Sequence, residues 1–243
     1  MEKIMEKNQA KNYYETLDKV KNIWHADKKS NFYYKEYIRY DAILKRIPQQ
    51  TKTVLDLGCG DGFLSYRIAQ KCYQVTAMDL SLNRLKRFKE QADRFNIQQI
   101  EGDITKVDLP SESFDLIVCS EVIEHLPNYK DVLVEVWRLL KKGGHFIVTV
   151  PNNQNVKIFT CPHCLKTFYQ DDHVNSFTQA TLSQDLINFG FKIEYVQVLY
   201  SKILNQIQYH LKIPYGLFVK ISDRILSRLF SKYTIHLLIR VKK

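Results

Sequence analysis

Val54-Leu55-Asp56-Leu57-Gly58-Cys59-Gly60-Asp61-Gly62-Phe63-Leu64-Ser65 decides the fold. An apolar strand runs through Asp56 into a turn holding Gly58, Gly60 and Gly62, and then into a helix. Glycines open backbone angles closed to other residues and let a ligand approach the main chain, as such turns do at the carboxyl end of a first parallel strand. A carboxylate at the strand tip repels a pyrophosphate and suits a ligand bearing an ammonium group and a sulfonium. S-adenosylmethionine therefore fits Asp56, Gly58 and Gly60 better than NAD or ATP.

Outward from this turn, strands and helices alternate. The pattern predicts strands at 53–57, 74–79, 97–101, 114–119 and 144–150, and helices at 62–71, 82–95, 129–141 and 178–189. Lys141-Lys142-Gly143-Gly144 reads as a helix stop. The apolar segments 191–200 and 233–241 read as a final pair of strands. Such alternation means a parallel sheet covered by helices on both faces. Three more strand tips bear on the cofactor. Asp79 closes the second strand, where an acid can accept hydrogen bonds from both ribose hydroxyls. Gly102-Asp103-Ile104 follows the third, where Asp103 can reach an adenine amino group and Ile104 can cover the ring, and Ser120-Glu121 follows the fourth. One acid at a strand end is usually a cap or turn former; four tips in register point to a ligand.

Length and composition set the class. With 243 residues, 45% apolar and 26% charged, one soluble domain is expected. No run approaches the roughly 18–20 apolar residues needed to span a bilayer. Five cysteines fit a reducing compartment, so the expected location is the cytoplasm, with peripheral contact at the inner face of a membrane as an addition. The net charge of +10 is uneven: Lys plus Arg against Asp plus Glu is 11 to 7 over 1–50, 16 to 18 over 51–200 and 9 to 1 over 201–243. Solvated lysines are the ordinary reading of such a tail, and an anionic surface or polymer the sharper one.

Along the chain, 1–50 reads as an N-terminal helical cap and 51–243 as the main domain. Within the latter, 151–177 reads as a substrate or metal loop and 201–232 as a helical insert. In 214–232, Phe218, Ile221, Ile225 and Leu229 share a helical stripe, expected to pack over the substrate pocket or to lie on a lipid surface.

Leu55–Gly62, Met78-Asp79-Leu80-Ser81, Gly102-Asp103-Ile104, Ser120-Glu121-Val122-Ile123-Glu124-His125-Leu126 and Leu139–Gly144 together resemble the class I S-adenosylmethionine-dependent methyltransferases. The resemblance covers about residues 50–200 and is nearest to the ubiquinone-biosynthesis O-methyltransferases. It implies a doubly wound, Rossmann-like seven-stranded sheet, mostly parallel with its last strand antiparallel, and it adds Leu80 to the cofactor-binding residues. The acceptor it implies is a small aromatic or lipid-linked hydroxyl compound.

Glu121, Glu124 and His125 share a helical face and would aim two carboxylates and an imidazole at one place. The stretch is similar to the metal-binding segments of the quinone enzymes and of small-RNA terminal 2'-O-methyltransferases. With His173 it is a candidate site for a magnesium-like ion that lowers an acceptor hydroxyl's pKa. The plain alternative is a short helix merely capped and packed by these residues. His125 and His173 are also the candidate bases. Cys161-Pro162-His163-Cys164 is half of a tetrahedral zinc site that needs two more ligands, with His163 or His173 as a third, or else a pair of unligated thiols. The rival readings are an RNA 2'-O-methyltransferase and a cofactor-binding, non-catalytic subunit.

Overall fold

The computed structural model describes residues 11–12, 16, 23–27, 30–165, 167–202, 204, 222–223, 225–227 and 229–243. Its elements in order are α1 (Asn31–Leu44), β1 (Thr53–Leu57), α2 (Phe63–Ala69), β2 (Gln74–Asp79), α3 (Leu82–Arg87), α4 (Lys89–Arg94) and β3 (Gln98–Glu101). There follow β4 (Phe114–Ser120), α5 (Tyr129–Leu139), β5 (Leu140–Pro151), β6 (Ile158–Thr160), β7 (Thr167–Tyr169), α6 (Gln179–Asn188), β8 (Lys192–Ser201) and β9 (Thr234–Lys242).

Seven strands form one sheet in the order β3-β2-β1-β4-β5-β9-β8. β1 to β5 run parallel, and β9 pairs antiparallel with both β5 and β8. The strand order reverses between β1 and β4, and ligands of such sheets bind beyond the carboxyl ends of the strands at that switch. The doubly wound sheet, its antiparallel last strand and the pairing of the last two strands are all as expected.

Side chains alternate across the pleat and feed two cores. Leu55, Leu57, Ile117, Cys119, Phe146 and Val148 pack with Val132, Leu133 and Val136 of α5 and Leu182 and Leu186 of α6. Val54, Leu116, Val118 and Ile147 pack on the other face with Ile68 of α2, Leu85 of α3 and Ile43 of α1. α1 is thus part of a layer on the sheet. It starts at Ser30, whose hydroxyl accepts the Tyr33 amide hydrogen bond at 3.1 Å, and it is tied to β8 by Arg46, which stacks 4.1 Å from the Tyr195 ring centre.

Several details depart from the sequence expectation. The helix at 82–95 is two short helices, because Phe88 leaves helical geometry (φ −115°, ψ 23°) to place its fully buried ring under Gly62. α5 ends at Leu139, and Lys141-Lys142-Gly143-Gly144 opens β5 instead of stopping a helix. There Phe114 pairs with Leu140, and Lys141 meets Asp115 at 2.8 Å. Within 151–177 the chain makes an unexpected two-stranded hairpin, β6-β7. Phe218 and Ile221 of the apolar stripe lie outside the described residues. Of the rest, Ile225 (53% exposed) and Leu229 (71%) face outward, whereas Asp223 and Ser227 are buried. Asp223 accepts the Ser201 amide at 2.7 Å, so the inward face of this part is the polar one.

Candidate active site

The glycine turn after β1 is held from beneath. Gly58 and Cys59 donate to the Met78 carbonyl at 2.8 and 2.9 Å, and Gly60 donates to Asp79 Oδ2 at 2.9 Å. Gly58 and Gly62 both have φ of +73°, and neither has room for a side chain: a Cβ would stand 2.6 Å from Val122 Cγ2 at Gly58 and 2.3 Å from the Phe88 ring at Gly62. Asp79 also accepts from the Ser81 amide at 2.9 Å. Arg84 Nη1 also lies 3.9 Å from its Oδ2. Asp56, 1% exposed, accepts from Ser65 Oγ at 2.6 Å. Burial raises its pKa to about 7 in spite of the Ser65 bond, and the charge of Asp79 adds to the rise. Asp103 folds back onto Thr105, accepting its amide at 3.0 Å and its hydroxyl at 2.7 Å; Ile104 beside it is buried. Leu80 follows Asp79 half-buried, and Ser120 bonds Thr149 at 2.9 Å. The tips of β1 to β4 therefore sit along one rim in parallel register.

Beyond β4 the chain turns sharply. Glu121 takes φ +55°, an unusual conformation for a residue with a side chain, and Ile123–His125 forms a single 3-10 turn. The 173–177 segment is tied to this turn: the amides of Val174 and Asn175 donate to the Glu124 carbonyl at 2.9 and 3.0 Å, and Asn175 Nδ2 donates to the Leu126 carbonyl at 2.6 Å. Those bonds place His173 against His125, ring centres 4.6 Å apart. Candidate metal-ligating atoms of Glu124, His125 and His173 all lie within 4.8 Å of one another.

Glu124 is 1% exposed, and neither carboxylate oxygen has a hydrogen-bond partner. A buried carboxylate in that state carries a heavy desolvation cost unless it is protonated or given a cation. Burial, with Glu121 nearby, accordingly raises its pKa well above the carboxylate range. Burial and then His173 push His125 down to about 4, and burial lowers His173 as well, so both imidazoles are neutral near pH 7. His125 Nδ1 lies 3.1 Å from the Asp172 carbonyl and His173 Nδ1 2.7 Å from Gln154 Oε1. Each acceptor fixes the proton on Nδ1 and leaves the Nε2 lone pair to bind a metal or a proton. His125 Nε2 is 3.9 Å from Glu124 Oε1.

Glu121 stands apart from this group. His236 Nδ1 of β9 lies 2.9 Å from its carboxylate and Arg39 of α1 3.9 Å away. Although burial works the other way, His236 and Arg39 hold Glu121 well below the usual carboxylate range. Neither Arg39 nor His236 was singled out in the sequence, because each sits in an element whose apolar pattern reads as core. Cys161 and Cys164 lie at the β6-β7 tip, and no third candidate ligand gathers with them among the described residues. His173 belongs to the Glu124 cluster, which removes it as their third ligand.

With this geometry in view, residues 55–148 match the family described as "Methyltransferase domain". The ubiquinone biosynthesis O-methyltransferase of Xylella fastidiosa is 36% identical over 122 residues, which is 47% of this chain and 48% of that protein. The chain spans about half the length of the curated relatives it matches. The [4+2]-cyclase SpnF superposes over 100% of this chain and 98% of its own with TM-score 0.70 at 15% identity. The Burkholderia thailandensis 1,6-didemethyltoxoflavin-N1-methyltransferase, solved with S-adenosylhomocysteine, superposes over 100% of this chain and 92% of its own with TM-score 0.62 at 17% identity. A cyclase and an N-methyltransferase on one scaffold mean that the fold leaves the reaction open. Residues 55–148 are thus similar to a methyltransferase domain, on a sheet like that of an S-adenosylmethionine-dependent methyltransferase of known structure.

Proposed function

We propose that this protein moves a methyl group from S-adenosylmethionine to a hydroxyl oxygen of a small aromatic or lipid-linked acceptor. The observation that carries the reading is the buried Glu124 carboxylate facing two neutral imidazoles at the rim where the cofactor loop ends. A sulfonium methyl is already activated, so displacement needs in-line placement about 3 Å from a deprotonated oxygen. His125 and His173 are neutral and hold their protons on Nδ1, so either Nε2 can accept a hydroxyl proton near pH 7.

Glu124, His125 and His173 also fit a divalent cation, because the carboxylate lacks any other partner. Two imidazoles and one carboxylate suit zinc or a first-row transition ion better than magnesium, which prefers oxygen. Such an ion, when bound, supplies Lewis acidity toward the acceptor oxygen. Gln154 and the Asp172 carbonyl orient the two rings, and Glu121 leans on His236 and Arg39 at the cluster's edge. The outward-facing Ile225 and Leu229 support peripheral contact with lipid, as a lipid-linked acceptor requires.

The test combines binding and turnover. Zinc or manganese added to the metal-free protein should raise its melting temperature, and Glu124→Gln should keep its fold while losing that rise. Methyl transfer from labelled donor should reach small hydroxylated acceptors and fall at least about 100-fold in His173→Ala, which lacks a positioned base. Donor binding with no transfer to lipid, RNA or small-molecule fractions would instead favour a non-catalytic subunit.

A further inference from the structure

The β6-β7 hairpin takes no part in the site just described. At its tip, Leu165 closes a turn on the Cys161 carbonyl at 2.9 Å, inside the loop that the Thr160–Thr167 pair bounds, so that Cys161 and Cys164 stand together on one tight turn. The turn sets the two thiols three residues apart at one hairpin tip, and the neighbouring Cys164 and His163 lower the pKa of Cys161, which favours its thiolate. Two thiolates at this spacing make half of a tetrahedral zinc site. No other Cys, His, Asp or Glu joins them among the described residues, and His173 is held by Gln154 and His125.

Among the described residues, nothing covers the hairpin. Ile158 (49% exposed), Phe159 (43%) and Phe168 (53%) on strands of three residues each, and Leu165 (76%) in the tip between them, face solvent. So small a two-stranded unit is marginal in water without something packed on it. A twofold interface presents the same patch from both partners, so an ion on the axis receives the same ligands twice.

We propose that Cys161 and Cys164 from two copies of this chain share one tetrahedral zinc ion, the ion and the apolar hairpin faces together joining the chains. The ion replaces four thiol protons, which pass to solvent, and nothing is oxidised or reduced. The resulting site carries two negative charges, and Lys157 and Lys166 flank the tip in sequence. A second copy is favoured over an unrelated partner because two ligands per chain are what a twofold axis doubles to four.

The experiment uses the full chain carrying Glu124→Gln, so that the inner cluster does not compete for the ion. Reduced, metal-free protein is titrated with cobalt and then with zinc while mass is followed by sedimentation. The thiolate-to-cobalt absorption should saturate at one ion for two chains, the mass should double, and chelator should reverse both. Cys161→Ser with Cys164→Ser should abolish absorption and doubling while leaving circular dichroism and melting unchanged, since the tip is exposed. Phe159→Ser with Phe168→Ser should keep the thiols and weaken the dimer. One ion per chain without a change of mass, doubling that survives loss of both thiols, or a disulfide that forms in place of metal binding would each overturn the proposal.

Discussion

Three glycines in one turn have unequal reasons to be there. Gly60 has φ of +58°, but a Cβ there would meet only Arg84 Nη1 at 3.9 Å, whereas at Gly62 the same atom would enter the Phe88 ring at 2.3 Å. Gly60→Ala should therefore cost only backbone strain, about 1–2 kcal/mol. Gly62→Ala adds overpacking against a buried ring and should cost about 2–5 kcal/mol; denaturant midpoints compare the two, and equal losses would refute the account. Asp56 makes a second prediction. Its carboxyl stands at about 7 in the fold against an ordinary 3.8, so its contribution to stability is fully present below pH 3.8 and is lost as pH rises through about 7. A cationic ligand prefers the ionised form. Affinity for S-adenosylmethionine should fall by about tenfold per pH unit below 7 and level off above it, with a proton released on binding near pH 6. Calorimetry in buffers of different ionisation enthalpy detects that proton, and Asp56→Asn should abolish it.

At the scale of elements, the legible part of the sequence is what local chemistry fixes. The glycine turn, the acids at the ends of β1 to β3 and the apolar runs of β8 and β9 declare themselves through backbone need and period-two patterning. What was hidden depends on contacts distant in sequence. The break at Phe88 answers to Gly62, the early end of α5 answers to the pairing of Phe114 with Leu140, and the role of Glu121 answers to Arg39 and His236 from opposite ends of the chain. No window of sequence contains both partners of such a pair. The stripe at Ile225 and Leu229 misled for another reason: helical periodicity identifies a face, but the Ser201 amide, not the apolar side chains, chose Asp223 for the inside. The junction of α1 with β8 is equally nonlocal and yields its own test. Arg46 stacks on Tyr195, and its carbonyl accepts from Arg240 at 3.0 Å. Arg46→Ala removes the stacking while keeping the carbonyl bond, so it should lower stability by about 1–2 kcal/mol and leave ligand affinity unchanged. A loss of affinity would mean that α1 helps to shape the site.

Charge belongs to the whole molecule, and it separates the two kinds of acceptor. Of the net +10, the segment 201–243 contributes +8, while 51–200, which holds the cofactor rim and the Glu124 cluster, is slightly negative at −2. Among the described residues the site offers no basic track: the cluster and its edge hold Glu121, Glu124 and two neutral histidines, Arg39 is engaged by Glu36 and Glu121, and Arg84 lies 3.9 Å from Asp79. A polyanion would be held mainly by the basic residues of 201–243 and met by the carboxylates of the rim, whereas a small acceptor needs no such steering. Ionic strength distinguishes these routes because a chain making 6–10 phosphate contacts loses about 10³–10⁵ in affinity between 50 and 200 mM salt. For a small uncharged hydroxyl compound, kcat/KM should change by less than about twofold over the same range, since no counterions are released. Lys243 bonds the Trp137 and Leu140 carbonyls, so the complementary variant that removes charge alone is Lys242→Gln, at the end of β9. It should leave turnover of the small acceptor unchanged, and a fall in turnover together with a steep salt dependence would assign the acceptor to RNA.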